Sequence, residues 1–245
     1  MLFYVWGKTQ YFITLMSIRL AVAPIAWSNS DLPELGGETS LETCLRESRD
    51  AGFTGTETGV KYPLDAEILG PLLETHGLQL ASGWFSGTLG ECSVEQEFEN
   101  LRQMLTTFKA LNAPVVIYAE TSGSVQSQQN IPVSQKPVMP DAEFPEYGRK
   151  LTEVADRMAD FGVRMSYHHH MGTVIETERE IDLLMENTGT SVGLLIDTGH
   201  LGFTNADIEA VTRRYGSRIN HVHCKDIRQE MFKQVRAKDL SFLDA

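Results

Sequence analysis

Short apolar runs alternate with longer stretches that carry apolar residues on one helical face, and the alternation repeats along most of the chain. The runs Ile18–Pro24, Thr54–Thr58, Leu78–Trp84, Pro114–Tyr118, Val163–His168, Val192–Asp197 and Ile219–Cys224 predict strands. Several are apolar almost throughout, as parallel strands covered on both faces are. Between them, Leu151, Val154, Ala155, Met158 and Phe161 follow the spacing of an amphipathic helix. Phe98, Leu101, Leu105 and Phe108 form a similar stripe, as do Ile181, Leu184, Met185 and Thr188. Thr39, Ser93 and Thr177, each followed three residues on by Glu or Gln, predict capping boxes at helix starts. Gly52, Gly77, Gly162, Gly189 and Gly216 each close or follow a helix, just before the next strand.

Strands alternating with helices and no break in composition predict an α/β protein, a TIM (β/α)8-type barrel. Residues 17–245 read as one barrel domain and residues 1–16 as an appended N-terminal tail. The pattern yields about seven strands where a closed barrel has eight, so the barrel is expected to be C-terminally truncated, missing its last strand. Residues Glu120–Phe144, rich in Ser, Gln and Pro, follow the fourth strand. A loop leaving the C-terminal end of a barrel strand lies at the active-site face, so this one is expected to act as a lid or substrate loop. A disordered insertion is the alternative.

A hydrophobic fraction of 42% suffices for a sizeable core, and the formal charge of −12 opposes a nucleic-acid partner. Cys44, Cys92 and Cys224 are scattered, which suits a reducing cytoplasm better than a disulfide framework. Residues Met1–Leu15 are apolar but too short, and too interrupted by Lys8, Thr9 and Gln10, to predict membrane attachment. No GxGxxG, GxxxxGK[ST] or GxSxG pattern occurs, so neither a nucleotide cofactor nor serine-hydrolase chemistry is expected.

Chemistry concentrates where predicted strands end. Asp197 terminates the run Leu194, Leu195, Ile196, and a carboxylate there must be solvated, paired or metal-bound. It could equally cap a turn or helix. His200 follows three residues later. His221 and His223 share one face of their strand, with His223 nearer the end and Lys225 just beyond. His168 and His170 likewise share a face, flanking His169, and Glu176 follows a Gly-containing turn that could fold it back as an oxygen donor. Glu57 and Glu120 end strands, and Trp27 and Trp84 follow or end others. Acids and indoles around one mouth suit a polyhydroxylated ring: carboxylates accept hydroxyl hydrogen bonds and indoles cover C–H faces. Together these predict metal ligands His168, Glu176, Asp197 and His223. Trp27, Glu57, Trp84, Glu120 and His221 are expected to bind substrate.

The segments IRLAVAPIAWSN, GTETG, GWFSGTL, VVIYAE, YHHHMGT, LLIDTGHLGF and HVHCKD resemble those of inosose dehydratases over residues 18–245. That family lies in the sugar-phosphate isomerase/epimerase-like TIM-barrel superfamily, which also holds endonuclease-IV-like enzymes. The resemblance implies one divalent ion, Mn or Co, and dehydration of a small cyclic polyhydroxy ketone, 2-keto-myo-inositol, in myo-inositol catabolism. It also implies ligands from the ends of strands five to eight. Asp197 and His223 match the second and third of these, and His168 stands where many relatives carry Glu. The fourth, a Glu after strand eight, has no match. The chemistry that the resemblance implies makes His170, His200 and Lys225 the expected catalytic residues, one of the two histidines as base and Lys225 at the enolate oxygen. A ketose isomerase or epimerase of the same superfamily is the runner-up, followed by an inactive incomplete barrel; homo-oligomerisation stays open.

Overall fold

The computed structural model describes residues 19–244. The tail expected at residues 1–16 and the start of the first predicted strand lie outside the described residues. Seven strands follow in chain order: β1 Ala21–Val22, β2 Gly55–Thr58, β3 Gln79–Gly87, β4 Val115–Glu120, β5 Arg164–His168, β6 Val192–Asp197 and β7 Ile219–His223. They form one sheet in sequential order, and every neighbouring pair is parallel. The helices are α1 Leu41–Asp50, α2 Ala66–Thr75, α3 Val94–Ala110, α4 Phe144–Phe161, α5 Glu178–Glu186, α6 Thr198–Phe203, α7 Ile208–Tyr215 and α8 Gln229–Lys238. The result is an open-sided barrel of the (β/α)8 type, in which no described strand joins β7 to β1.

Period-two alternation sorts each strand between two environments. In β4, β5 and β6, the side chains of Val116, Tyr118, Met165, Tyr167, Leu194 and Ile196 join the core cluster packed under the helices. The intervening Ile117 and His168 face the other way, onto a cavity of about 1290 Å³ that opens at the gap between β7 and β1. The helix side supplies most of the apolar burial: Leu151, Val154, Ala155 and Met158 of α4 are all buried against that cluster. α4 ends at Gly162, whose φ of 110° puts it in the left-handed region that glycine adopts without strain.

Local signals place the helix starts. Thr177 and Glu180 form the expected reciprocal capping box on α5, and Ser93 caps α3 by accepting from Gln96 N. At α1 the cap is Ser40, not Thr39: the chain turns one residue later, and the Ser40 hydroxyl accepts from Thr43 N. The segment after β4 is a folded loop with short 3-10 turns at Val133–Gln135 and Asp141–Glu143. It is tied to the C-terminal segment through Val133 N donating to Leu240 O and the bridge between Pro132 and Ser241. Among the described residues no helix is long and apolar enough to cross a membrane.

Leu194 is fully buried beneath the helices, whereas Val222 on β7 is 51% exposed. Leu194→Ala should destabilise the fold by about 2–5 kcal/mol through lost transfer energy and a residual cavity. Val222→Ala should stay within about 0.5 kcal/mol of the parent. Urea denaturation of both variants checks this, and equal losses would contradict the difference in burial.

Candidate active site

The C-terminal ends of β5, β6 and β7 lie side by side, with His168 paired to Leu195 and Asp197 paired to His223 in register. Asp197 is fully buried and divides its carboxylate. Oδ1 caps α6, accepting from Gly199 N at 3.0 Å and His200 N at 3.1 Å. Oδ2 faces His168 Nε2 at 3.3 Å, His223 Nδ1 at 3.5 Å and His200 Nε2 at 3.8 Å. Lys225 Nζ forms an ion pair with the same oxygen at 2.6 Å. His168 Nδ1 and His223 Nδ1 are buried without a hydrogen-bond partner among the described residues.

A second acid joins from across the interior. Glu57, at the C-terminal end of β2, accepts from Ser82 Oγ at 2.6 Å and contacts His221 Nε2 and His223 Nε2, each at 2.9 Å. Burial raises the Glu57 carboxyl, but the two histidines outweigh it and hold the group well below the usual carboxylate range. Asp197 is similar: burial opposes its charge, and His168 and His223 more than restore it. Burial alone would also lower His223, yet its contacts with Asp197 and Glu57 push it up to about 9. His168, His169, His170 and His200 go the opposite way. Burial lowers His168 and His200, brings His169 down to about 4 and His170 down to about 3. One imidazolium thus sits among neutral imidazoles.

His170 is partly exposed on the cavity wall. Its Nδ1 is 2.8 Å from Met171 O, a contact that requires Nδ1 to carry the proton and leaves Nε2 as the free base. The His170 ring lies 3.9 Å from that of His200, and Trp84 approaches both His168 and His170 edge-on at 5.4 and 5.5 Å. The indole is fixed by its bond to Ser86 Oγ at 2.9 Å. His168, Asp197 and His200 form one group compact enough to hold a metal ion, and Glu57, His221 and His223 form another.

The structure therefore gathers Glu57, Trp84, His168, His170, Asp197, His200, His221, His223 and Lys225. It takes three expected site residues elsewhere. Trp27 follows the 3-10 turn Pro24–Ala26, which leads its indole to Glu47 on α1 at 2.7 Å and off the cavity wall. Glu120 shares the face of Tyr118, toward the helices. Its buried carboxylate accepts from Gly90 N, Ser122 N and Tyr147 Oη instead of facing the cavity. Glu176 folds back as expected but onto Gly172 N at 2.8 Å, and it is not among the groups around Asp197. Two contributors had no reading in the sequence. Ser82 lies two residues before Trp84 on the same strand face, a parity that could have found it. His169 faces away from His168 and accepts from Asp197 N at 3.3 Å, which ties β5 to β6.

Residues 45–239 match the family described as the xylose isomerase-like TIM barrel. The chain belongs to that family. It is 49% identical over 232 residues to the rhizopine catabolism protein MocC of Rhizobium meliloti, covering 95% of this chain and 71% of that protein. It is 42% identical over 230 residues to the inosose dehydratase of Geobacillus thermodenitrificans, covering 93% and 77%. The resemblance carried by the motifs thus extends across nearly the whole chain. In fold it is similar to a xylose isomerase-like TIM-barrel protein from Mycobacterium smegmatis in complex with magnesium, with a TM-score of 0.62 at 17% identity. That match covers 87% of this chain and 78% of the other.

Linkage sets a pH optimum for this xylose isomerase-like barrel without metal. His223, raised to about 9, contributes stability that is complete below the ordinary histidine pKa of about 6.5 and is lost as pH rises through about 9. The buried histidines with lowered values remove stability as pH falls below about 6.5, because the unfolded chain then binds more protons. Chemical denaturation of metal-free protein should therefore show a maximum near pH 6.5, and His223→Gln should abolish the alkaline decline. A flat profile from pH 6.5 to 9.5 in the parent would contradict the two-carboxylate environment of His223.

Proposed function

We propose that the chain is an inosose dehydratase: a carbon–oxygen hydro-lyase that removes water from 2-keto-myo-inositol with the help of one divalent ion, Mn or Co. The observation that carries the reading is the buried, charged Asp197 carboxylate oxygen on which His168, His200, His223 and Lys225 converge. Its 42% identity to an inosose dehydratase supports the choice of reaction.

A carboxylate with several imidazoles suits a divalent ion of intermediate hardness, and the buried His168 Nδ1 and His223 Nδ1 carry no hydrogen bond that would withhold them. Asp197, His168, His223 and His200 are the residues that would hold it. When bound, the ion would supply Lewis-acid stabilisation of charge developing on the substrate's ketone oxygen. The chain's own groups do the rest. His170, neutral with Nε2 free at the cavity wall, takes the proton α to the ketone. Lys225 brings positive charge to the same corner, 3.4 Å from His200 Nε2. Trp84 covers an apolar face of the ring, while Glu57 with His221 forms the polar floor that accepts its hydroxyls. The proton taken by His170 passes to the β-hydroxyl as its C–O bond breaks, so that water leaves and the base is restored.

The 49% identity to MocC favours a second reading, that the chain acts in rhizopine catabolism. Product analysis with inosose, and with rhizopine in parallel, separates the two by which compound is consumed.

Asp197→Asn keeps an oxygen for the α6 cap but loses the charge on the other, whereas Asp197→Ala loses both. Both variants should lose the bound ion by elemental analysis, and Asp197→Ala alone should also lose the cap, worth about 1 kcal/mol. Retention of the ion by Asp197→Ala would remove Asp197 from the ligand set.

His170→Gln should keep its metal while slowing exchange of the substrate's α-proton with deuterated solvent by on the order of 10²-fold or more. Undiminished exchange, followed by proton NMR, would move the base elsewhere, with Glu57 next in reach of the cavity.

A further inference from the structure

Phe242 stands beside the candidate base without standing in the cavity. Its ring centroid lies 5.0 Å from that of His170 and 5.9 Å from that of His200, yet Phe242 contributes nothing to the cavity wall. At an interplanar angle of 76°, its contact with His170 is edge-to-face, an arrangement that aromatic rings favour over a face-to-face sandwich. The hydrogen bond from Nδ1 to Met171 O holds the His170 ring at one atom only. The second torsion of a histidine side chain has broad minima, so the direction of Nε2 depends on what fills the space around the imidazole. Trp84 does so from the cavity wall and Phe242 from outside it.

Phe242 is held in place on both sides in sequence. Before it, Ser241 is buried and bridged to Pro132, and Val133 N donates to Leu240 O at 3.1 Å. After it, Asp244 N donates to Ser241 Oγ at 3.0 Å, and Gln129 Nε2 donates to Asp244 Oδ1 at 3.2 Å. The loop after β4 thus grips the segment on either side of the phenylalanine. Phe242 and Leu240 also pack against a small cluster of Val133, Met171, Phe203 and Val235, separate from the main core. Met171 is the residue whose carbonyl accepts from His170 Nδ1, so one cluster supports both the hydrogen bond and the ring that meet at the imidazole.

We propose that Phe242 is a positioning residue for the reaction: its ring backs the His170 imidazole and keeps Nε2 directed into the cavity, at the substrate's α-proton. The inference rests on the dehydratase reading for the role of His170, but the order of the His170 ring can be measured without turnover. Because Phe242 does not reach the cavity, its removal should act on kcat and not on KM.

The test compares the full chain with Phe242→Ala and with Phe242→Leu, which removes the flat ring and keeps most of its bulk. Steady-state kinetics with inosose and Mn should show kcat about 10- to 100-fold lower in both, the weight of a small displacement of a reacting group, with KM within about twofold. Phe232→Ala removes a ring that packs on the same cluster but pairs with Phe203, and it should keep the parent's kcat. In a His170→Gln background, Phe242→Leu should slow turnover no further, because a residue that acts through His170 then has nothing to position. A second measurement uses NMR of isotope-labelled histidine with diamagnetic Mg bound, the His170 ring signal being assigned by its loss in His170→Gln. That signal should shift and broaden in Phe242→Leu and stay in place in Phe232→Ala. An unaltered kcat in both Phe242 variants would overturn the proposal, as would an equal loss in Phe232→Ala, a further loss on top of His170→Gln, or a His170 signal that does not respond. A parent that leaves inosose unconsumed while its His170 signal responds to Phe242→Leu alone would uphold the placement of the imidazole by Phe242 and overturn the dehydratase reading.

Discussion

The site depends on one buried carboxylate. Asp197 ends a wholly buried strand, where an unpaired charge would cost several kcal/mol. Two sets of partners remove that cost, one for each oxygen. The backbone N–H groups at the start of α6 take Oδ1, so the short helix owes its position to the same residue that organises the site. Three imidazoles and Lys225 surround Oδ2. The modest reading of an Asp-Thr-Gly stretch, a helix cap, and the functional one, a metal ligand, are thus compatible. The cap fixes the side-chain rotamer, and the rotamer aims the second oxygen.

Glu57 plays the corresponding part on the far wall. Its bonds to His221 and His223 run between β2 and β7, strands that lie on opposite sides of the open gap and share no backbone hydrogen bonds. The polar floor is therefore also a tie across the interior. His223 stands between the two acids, with one ring nitrogen near each. β2, β6 and β7 are consequently coupled through side chains where the sheet itself does not close.

Legibility followed the physics of alternation. Strand positions could be read because buried parallel strands need apolar runs, and the seven expected runs correspond to the seven strands, with boundaries shifted by a few residues at most. Parity within a strand was the finer signal. Counting by two from Tyr118, a core residue, puts Glu120 toward the helices, whereas counting from Ser82 puts Trp84 at the cavity. Treating every acid or indole at a strand end as a mouth residue overlooked that rule. Trp27 and Glu176 were beyond its reach, since both lie in turns whose direction is set by local hydrogen bonds and not by strand periodicity.

The balance of charge explains how such a cluster folds without a metal and still accommodates one. Asp197 and Glu57 are held ionised by burial-opposing contacts, and His223 and Lys225 supply positive charge beside them. His168 and His200 stay neutral chiefly because burial disfavours their charged form, and the neighbouring imidazoles add to this. A divalent ion would take over the role of counter-ion, and His223 would have to give up its proton to become a ligand. On the proposed reading, the same histidine neutralises the acids without a metal and would become a ligand when one is bound. A cluster built this way avoids the unpaired buried charge in either state.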